Sequence, residues 1–486
     1  MPNSIVEAIA TYSQTNPNKL CIADGKREYP YQKYWENIYA YAKYLSSKGI
    51  NKGDCVVVRN AQNIETLIAG LSIQLIGAVF VPVEKAIPEE RMIEIINTVN
   101  ASCYIAMSNI DCNVHYENLA EVKNYNEYCC NVSMISFPKG QDIAEILFTT
   151  GTTGVSKGIV LTHRSVIAVS ENVIDGVRME VDNVELIPVP LSHSHGLRRY
   201  YSNMLNGSSV VILNGVAFVK IVFDCIEKYG VNSMDLVPAA LTTLLKLSGD
   251  RLGEYKEQIR YIQLGSAPIP EIDKKKLMEL LPNSRLYNFY GTTESGCSCI
   301  IDFNENPDKL NCIGKPAVHA RFVFLDDEGN IINATKSNPG LLACLGDMNM
   351  LRYYNDFELS QEVQIDGYIK TQDLAYQDED GMIYLIGRQG DVIECGGMKI
   401  APTEIEEMAL KCNLVDDCVC VPVDNEVTGK EPKLYVVVKS GCEFNYKEIY
   451  NFLKDNLEIY KVPKIIEEID AVPRTYNGKI NRKALI

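Results

Sequence analysis

The chain has 486 residues and a formal net charge of −16, from 47 basic and 63 acidic side chains, and 46% of its residues are hydrophobic. This length predicts about three compact units, and the apolar content excludes extensive disorder. The acidic balance disfavours a general nucleic-acid binder, because phosphate backbones require clustered Lys and Arg; a local positive pocket for one small nucleotide is compatible with it.

The 16 cysteines show no metal-ligand C-x-x-C spacing, and the chain starts without a charged-then-apolar leader. We interpret them as reduced thiols of a cytoplasmic protein. The longest apolar run, residues 67–83, is slightly shorter than the about 20 residues that span a bilayer. It therefore predicts a core helix followed by a strand, with no membrane span.

The first 140 residues alternate between helical and strand patterns. The predicted helices cover 7–16, 31–48, 64–76 and 88–99, and the predicted strands 55–58 and 78–83. Alternation of this kind predicts an α/β fold with a doubly wound parallel sheet. Ligands of such sheets bind at the carboxyl ends of the strands.

The segment from Ile146 to Lys157 reads I-L-F-T-T-G-T-T-G-V-S-K, a strand running into a hydroxyl- and glycine-rich loop. Glycines allow close backbone approach, hydroxyls donate hydrogen bonds and the lysine supplies charge, which suits a polyphosphate. The standard nucleotide loop has a glycine where this chain has Ser156, and a linker or surface turn is the alternative. A return strand follows, then a helix capped by Thr162 and ended by Gly176.

A histidine pair, His193 and His195, stands in the segment P-V-P-L-S-H-S-H-G at 188–196. A metal site is disfavoured because no acidic or Cys/His cluster accompanies the pair, and a packed core histidine is the alternative. Arg198 and Arg199 follow. We expect them to be solvated or paired with surface acids, or one of them to face a second carboxylate on a substrate.

The segment 285–295 reads R-L-Y-N-F-Y-G-T-T-E-S, a strand ending in a glycine turn that presents hydroxyls and one carboxylate. A carboxylate beside a triphosphate would repel it unless a cation intervened, so Glu294 is a predicted Mg²⁺ ligand. The Thr293 hydroxyl can hydrogen-bond a phosphate. Further strands are predicted at 210–213 and 233–237, and a helix at 239–247.

A β-rich region covers 314–386, and its end contains the hairpin signal Asp380-Gly381. A two-residue turn centred there places Asp373 opposite Arg388, on one face of the sheet. The alternative to a functional pair is a structural ion pair, worth about 0.2–1 kcal/mol.

The last 80-odd residues predict an α+β unit, with strands at 418–423, 434–438 and 465–469 and a helix at 446–457. Thr403 to Glu406 has the spacing of a capping box for another helix. The turn Asn477-Gly478 would hold Lys479 on an exposed loop. Most lysines on exposed loops are solvated side chains without a functional role, which is the alternative here.

In this order the motifs resemble those of the adenylate-forming superfamily, which includes acyl-CoA synthetases, adenylation domains of peptide synthetases and luciferases. The resemblance runs from about residue 5 to Ile486. The motifs that show the resemblance are the Thr/Gly loop, P-L-x-H-x-x-G at 190–196, G-S-A-P at 265–268, Y-G-T-T-E at 290–294, T-Q-D at 371–373 and P-R-T-x-x-G-K-I at 473–480. It implies a large N-terminal domain (1–389, with a β-rich subdomain at about 310–389), a hinge at 390–391 and a small mobile α+β domain (392–486).

The resemblance also implies roles for individual residues. The nucleotide would be bound by Thr149, Thr150, Gly151, Thr152, Thr153, Gly154, Lys157, Gly265, Ser266, Ala267, Pro268, Tyr290, Gly291, Thr292, Asp373 and Arg388. His193 would gate the acyl pocket, the turn at 265–268 would line both acyl group and adenine, and the pair Asp373/Arg388 would hold the ribose. Gln372 replaces the usual glycine of T-G-D, which leaves the local strand geometry open.

At the C-terminal end, the resemblance makes Asp391 the hinge residue and assigns Gly396, Gly397 and Lys399 to the loop that meets the thiol. Lys479 would contact both the carboxylate and the α-phosphate during adenylation, in a catalytic set with Thr293, Glu294 and His193.

The implied reaction is carboxylate plus MgATP giving acyl-AMP and pyrophosphate, followed by capture of the acyl group by coenzyme A or by a carrier protein's phosphopantetheine. A carrier would act in trans, since none is fused to this chain. Amino-acid activation is less favoured, because S-H-S-H-G at 192–196 stands where such domains have F-D-x-S. A non-catalytic acyl-adenylate-binding regulator is the alternative of a different class, and a kinase or hydrolysing NTPase lacks its loop spacing.

Overall fold

A computed structural model describes residues 2–124, 135–149, 157–309, 312–396, 398–474 and 480–486. Within them, the helices are α1 (Ile5–Thr15), α2 (Tyr31–Ser47), α3 (Ile64–Leu75), α4 (Glu89–Thr98), α5 (His163–Gly176), α6 (Ser194–Asn206), α7 (Val219–Tyr229), α8 (Pro238–Ser248), α9 (Glu271–Leu280), α10 (Phe357–Val363), α11 (Pro402–Ala409) and α12 (Tyr446–Asn456).

The strands are β1 (Leu20–Ala23), β2 (Glu28–Pro30), β3 (Cys55–Arg59), β4 (Val79–Val83), β5 (Cys103–Ala106), β6 (His115–Asn118), β7 (Ile143–Thr149), β8 (Lys157–Thr162), β9 (Val184–Ile187), β10 (Ser209–Ile212), β11 (Ser233–Leu236), β12 (Tyr261–Gly265), β13 (Arg285–Thr292), β14 (Gly296–Asp302), β15 (Lys315–Pro316), β16 (Arg321–Leu325), β17 (Ile331–Ile332), β18 (Gly340–Leu345), β19 (Arg352–Tyr353), β20 (Gln364–Ile365), β21 (Tyr368–Gln377), β22 (Ile383–Arg388), β23 (Ile393–Cys395), β24 (Met398–Ile400), β25 (Val415–Asn425), β26 (Gly429–Val438) and β27 (Ile465–Glu468).

Two large sheets build the N-terminal part. One has the order β19-β8-β7-β4-β3-β5-β6 and the other β15-β14-β13-β12-β11-β9-β10-β1-β2. Their central neighbours, such as β3/β4 and β11/β12, run parallel, while the pairs β7/β8 and β13/β14 are antiparallel. The predicted α/β class with doubly wound sheets is confirmed, and the predicted elements of the first 140 residues lie within two residues of the observed ones.

The apolar run at 67–83 forms most of α3 and all of β4, as predicted. Every residue of α3 is buried, and Gly70 packs so closely on Phe80 that an added Cβ would lie 2.9 Å from its ring. Among the described residues, no helix combines the length and the apolarity that crossing a bilayer requires.

The hairpin β21/β22 pairs Asp373 with Arg388, as predicted, although its register next to the turn differs from the predicted one. Next to the turn the register is Gln377 opposite Ile383, one residue off the prediction, and an irregularity between Leu374 and Ala375 restores the predicted pairing. Three residues, ending in Gly381 with φ of 79°, separate Asp378 from Met382, so the turn is a three-residue loop with a left-handed glycine.

The C-terminal segment forms a five-stranded sheet of order β24-β23-β26-β25 with β27 beside β26, covered by α11 and α12. The predicted capping box at Thr403 is wrong. Helix α11 begins earlier, at Pro402, with Ala401 as its N-cap and no side-chain cap, because proline is well suited to the first helical position. Glu406 instead turns inward to bind Arg482 at 2.7 Å.

The chain packs as two compact units, one of residues 1–269, 273–322 and 344–370 and the other of 270–272, 323–343 and 371–486. The predicted domain boundary at 389 and the predicted hinge at Asp391 stay predictions.

Candidate active site

The end of the Thr/Gly loop is anchored by two antiparallel strands. Thr149 closes β7 and pairs with Lys157 at the start of β8, while Tyr353 of β19 pairs with Ile159 on the other side of β8. The Lys157 ammonium lies 5.5 Å from the centre of the Tyr353 ring, a cation–π distance. The loop predictions at Thr150, Gly151, Thr152, Thr153 and Gly154 fall outside the described residues.

A tight turn between β13 and β14 presents Thr293 and Glu294. The Ser295 N–H donates to Thr292 Oγ1 at 3.1 Å and closes the turn. The Met350 N–H donates to the Glu294 carbonyl at 2.7 Å, which fixes the turn from a second segment. Tyr290 and Gly291 lie in β13 just before it, and a Cβ at Gly291 would lie 1.9 Å from a backbone oxygen, so only glycine fits.

Tyr353 joins the loop end to this turn. Its hydroxyl donates to Glu294 Oε1 at 2.9 Å, and burial, reinforced by the Glu294 charge, raises the pKa of Tyr353 well above its ordinary value. The tyrosine therefore stays a protonated donor. Sequence reasoning missed this residue, because β19 has only two residues and carries no motif.

A magnesium ion fits the donors present here. Mg²⁺ binds through one or two carboxylates together with substrate phosphates and water, and Glu294 supplies one carboxylate beside the Lys157 end of the loop. No cluster of three or more His, Cys, Asp or Glu suited to a metal occurs within the described ranges.

The G-S-A-P turn follows β12 with an unusual backbone. Ser266 has φ of 75°, and Ser266, Ala267 and Pro268 are exposed. Gly265 closes the strand, and an added Cβ there would lie 3.2 Å from the His195 ring. The turn thus comes directly against the histidine segment.

The two histidines of that segment bind different carboxylates. His193 Nε2 lies 3.3 Å from Glu84 Oε2, and the Ser192 hydroxyl donates to the same oxygen at 2.6 Å. The bond to His193 is the main reason why the pKa of Glu84 falls to about 2. His195 binds Asp235 through Nε2 at 2.7 Å and Ser266 through Nδ1 at 2.5 Å. Sequence reasoning noted His195 but gave it no role.

The expectation that Arg198 and Arg199 are solvated or paired with surface acids is wrong: both are buried, and their acids are buried too. Arg198 binds Glu145 of β7, with side chains 4% and 0% exposed. Arg199 Nε lies 3.4 Å from Asp235 Oδ1, and its guanidinium lies over the Phe289 ring at 4.0 Å. Burial of a charge requires a partner, which the strands supply from residues distant in sequence.

In the second unit, Arg388 Nε lies 3.7 Å from Asp373 Oδ1 on one face of the hairpin. Asp373 is buried and Arg388 is exposed. Gln372 adopts φ of 66°, the left-handed conformation that the usual glycine takes without strain. The replacement therefore leaves the pairing of Asp373 intact and stores strain one residue away.

Of the remaining predicted residues, Asp391 donates its N–H to the Arg388 carbonyl at 2.8 Å. Gly396, with φ of 57°, turns the hairpin β23/β24, in which Lys399 pairs with Glu394. Gly397 and Lys479 lie outside the described residues.

The family models and the relatives found by comparison with known proteins indicate the same family. The family model of AMP-binding enzymes matches residues 9–354, and that of the AMP-binding enzyme C-terminal domain matches 404–479. A probable CoA ligase from Humulus lupulus is 25% identical, over 98% of this chain and 91% of the relative. A 2-succinylbenzoate–CoA ligase from Bacillus cereus is 26% identical, over 100% of this chain and 98% of the relative.

Solved structures agree on the fold. The o-succinylbenzoate CoA synthetase of Bacillus subtilis, solved with its acyl-adenylate intermediate, superposes with a TM-score of 0.86 at 22% identity, covering 99% of this chain and 97% of that one. ATP-bound MatB from Rhodopseudomonas palustris gives a TM-score of 0.88 at 21% identity, covering 99% and 98%.

Proposed function

Because the chain belongs to the AMP-binding enzyme family, we propose that it activates a carboxylic acid with ATP, releases pyrophosphate and passes the acyl group of the acyl-adenylate to coenzyme A. The observation that carries the proposal is the meeting of Lys157, Tyr353 and Glu294, which come from three separate segments. An ammonium, a fixed hydroxyl and a carboxylate able to bind a cation are the groups that a triphosphate requires.

Adenylation needs no protein nucleophile, because the acid's own carboxylate attacks the α-phosphate. The protein must hold the reactants in line and neutralise developing charge. Lys157 would attract the phosphates, the Thr292–Ser295 turn would bring the Thr293 hydroxyl to the α-phosphate, and Tyr353 would keep the Glu294 carboxylate oriented. Mg²⁺, when bound at Glu294, would supply charge neutralisation.

Asp373 and Arg388 are the proposed ribose pair. A carboxylate accepts hydrogen bonds from two neighbouring hydroxyls, and Arg388 lies beside it as an ion-pair partner. His193 is proposed to control access for the acid, with Glu84 as the side chain that fixes its orientation. Asp391 as hinge and the loop at Gly396, Gly397 and Lys399 as thiol contact complete the proposal.

The acid is proposed to be an acyl or aryl acid without a second carboxylate. Arg198 and Arg199 each have a buried carboxylate neighbour, so neither offers an uncompensated positive charge to a dicarboxylate. The remaining alternatives are amino-acid adenylation for a carrier protein in trans and a non-catalytic acyl-adenylate-binding regulator.

A hydroxylamine-trapping screen tests substrate class and catalysis together. The enzyme, ATP and Mg²⁺ are incubated with acyl, aryl, dicarboxylic and α-amino acids, and hydroxamate is measured with and without coenzyme A. We expect acyl or aryl acids to give hydroxamate and coenzyme A to compete with its formation. Hydroxamate from α-amino acids alone would select the carrier-protein alternative, and ATP binding without hydroxamate or pyrophosphate exchange for any acid would select the regulator.

Lys479 is tested by substitution. Lys479→Ala should slow ATP–pyrophosphate exchange about 10²-fold or more, by analogy with loss of one electrostatic stabiliser, while ATP binding persists. Lys483→Ala, which removes an exposed lysine four positions on, should leave exchange unchanged. Parent-like exchange in Lys479→Ala would remove this residue from the reaction.

A further inference from the structure

Three side chains form a hydrogen-bonded series that adenylation does not require. Ser266 Oγ lies 2.5 Å from His195 Nδ1, and His195 Nε2 lies 2.7 Å from Asp235 Oδ1. They come from the turn after β12, the first turn of α6 and the carboxyl end of β11. A hydroxyl, an imidazole and a carboxylate in this order are the groups that activate a serine as a nucleophile.

Burial is graded along the series. The Asp235 side chain is 0% and the His195 side chain 13% exposed, while Ser266 is exposed. The carboxylate is thus shielded from water and the hydroxyl is open to a substrate. Because a carboxylate only accepts, Nε2 of the neutral imidazole carries the proton and Nδ1 accepts from the Ser266 O–H. Compared with serine proteases the ring is turned over, and either ring nitrogen can take a proton.

Arg199 lies at the Asp235 end of the series. It lies one helical turn after His195 on α6, so both side chains project from the same face, and its Nε lies 3.4 Å from the carboxylate oxygen that His195 binds. Its guanidinium is fixed over the Phe289 ring. The guanidinium therefore balances the charge of Asp235.

The backbone of Ser266 is strained in a way that often marks a functional residue. Its φ of 75° is unfavourable for a residue with a Cβ, at about 1–2 kcal/mol. It is the first residue of the five-residue connection between β12 and the helix α9. The nucleophile of α/β-hydrolases also lies in a strained strand-to-helix turn, which exposes its hydroxyl, and strain of this kind is concentrated at active sites.

We propose that Ser266, His195 and Asp235 form a second catalytic group that hydrolyses activated acyl groups, with the acyl-adenylate made by the same chain as substrate. The choice of substrate rests on the proposed function; the nucleophilicity of Ser266 does not. Hydrolysis would clear acids that are adenylated but not accepted by the thiol-transfer step.

The reaction balances with water as the only co-reactant. Ser266 Oγ attacks the acyl carbonyl carbon and its proton passes to His195 Nδ1, the bond from the acyl carbon to the AMP oxygen breaks, and AMP leaves as the anion. His195 then releases its proton to solvent. In the second half His195 takes a proton from water, the hydroxide oxygen attacks the acyl-serine ester, the bond from the acyl carbon to Ser266 Oγ breaks, and the proton returns from His195 to Ser266 Oγ. The acid is released and loses its own proton to solvent, which leaves it as the carboxylate.

A fluorophosphonate probe tests the nucleophile without ATP or an acid. The full chain is incubated with the probe, digested and analysed by mass spectrometry, and we expect the adduct on Ser266. Ser266→Ala should lose it, and Asp235→Asn should slow labelling about 10²-fold or more, since a neutral partner no longer fixes the imidazole. Ser47→Ala, which removes an exposed serine bonded to its own helix, should label like the parent.

The parent protein alone decides the outcome even if the buried Asp235→Asn variant fails to fold. No adduct on the parent, or an adduct on another serine, overturns the proposal, and ATP–pyrophosphate exchange on the same sample reports separately on the proposed function. Labelling of Ser266 in a preparation without exchange would support the nucleophile and refute only the adenylation. In an active preparation without coenzyme A, Ser266→Ala should lower the ratio of AMP release to exchange at least about tenfold, and an unchanged ratio overturns the hydrolytic role.

Discussion

The buried pair Glu145–Arg198 gives a prediction whose size follows from burial. Glu145 lies in β7, before the Thr/Gly loop, and Arg198 in α6, which carries His195, so the pair ties together the two elements that position the candidate site. The Tyr201 hydroxyl also donates to Glu145, at 3.2 Å. Glu145→Gln keeps the shape and removes the charge.

The expected cost is about 3–5 kcal/mol of unfolding free energy, because the substitution leaves the Arg198 charge buried without a carboxylate. Arg198→Met should destabilise for the converse reason. The double variant should cost less than the sum of the two by about 1.5–3 kcal/mol, since both charges are then absent.

The matched control is the exposed pair Arg178–Glu305, whose side chains are 60% and 52% exposed. Because water already screens it, Glu305→Gln should cost no more than about 1 kcal/mol. Urea unfolding followed by fluorescence reports on the relevant core, since the only tryptophan, Trp35, is buried in the same cluster as Tyr201. Equal costs for Glu145→Gln and Glu305→Gln, or an additive double variant, would refute the reasoning.

Three further predictions follow from single side chains. Burial, with the Asp235 charge as the second cause, raises the pKa of Glu185 to about 7 from an ordinary 4.5, so its stabilising contribution is complete below pH 4.5 and is lost as the pH rises through 7. The melting temperature of Glu185→Gln minus that of the parent, measured by scanning fluorimetry, should therefore increase from pH 5 to pH 8.5. A difference in melting temperature that does not change with pH would contradict this. At Gln372, whose φ is 66°, the β-branched substitution Gln372→Val should lower the free energy of unfolding by about 1–3 kcal/mol in urea. Gln372→Gly should not lower it, and equal stability of the two variants would exclude backbone strain at this position. Glu294→Gln should lower the rate of ATP–pyrophosphate exchange about 10²–10³-fold and raise the Mg²⁺ concentration that gives the half-maximal rate. Tyr353→Phe removes only one hydrogen bond and should lower the exchange rate about tenfold or less. If the Mg²⁺ dependence of Glu294→Gln equals that of the parent, Glu294 is not a Mg²⁺ ligand.

Sequence alone predicted what depends on local signals. Hydrophobic periodicity located α2, and the continuous apolar run located α3 and β4. The threonine and glycine that bound α5 marked its ends. Turn chemistry placed Asp373 opposite Arg388, although the predicted two-residue turn is a three-residue loop. The register survived because an irregularity in β22 compensates for the extra residue.

Only the tertiary structure decided which side chains meet. Nothing local to Arg198 distinguishes a solvated arginine from a buried one, because its partner Glu145 lies 53 residues earlier. Nothing local predicts that His193 binds Glu84, which follows β4, and that His195 binds Asp235 of β11. Nothing local identifies Tyr353. Periodicity and spacing determine where a segment turns or becomes buried, whereas a buried charge or hydroxyl is stable only with a partner, and that partner is supplied by packing between distant segments.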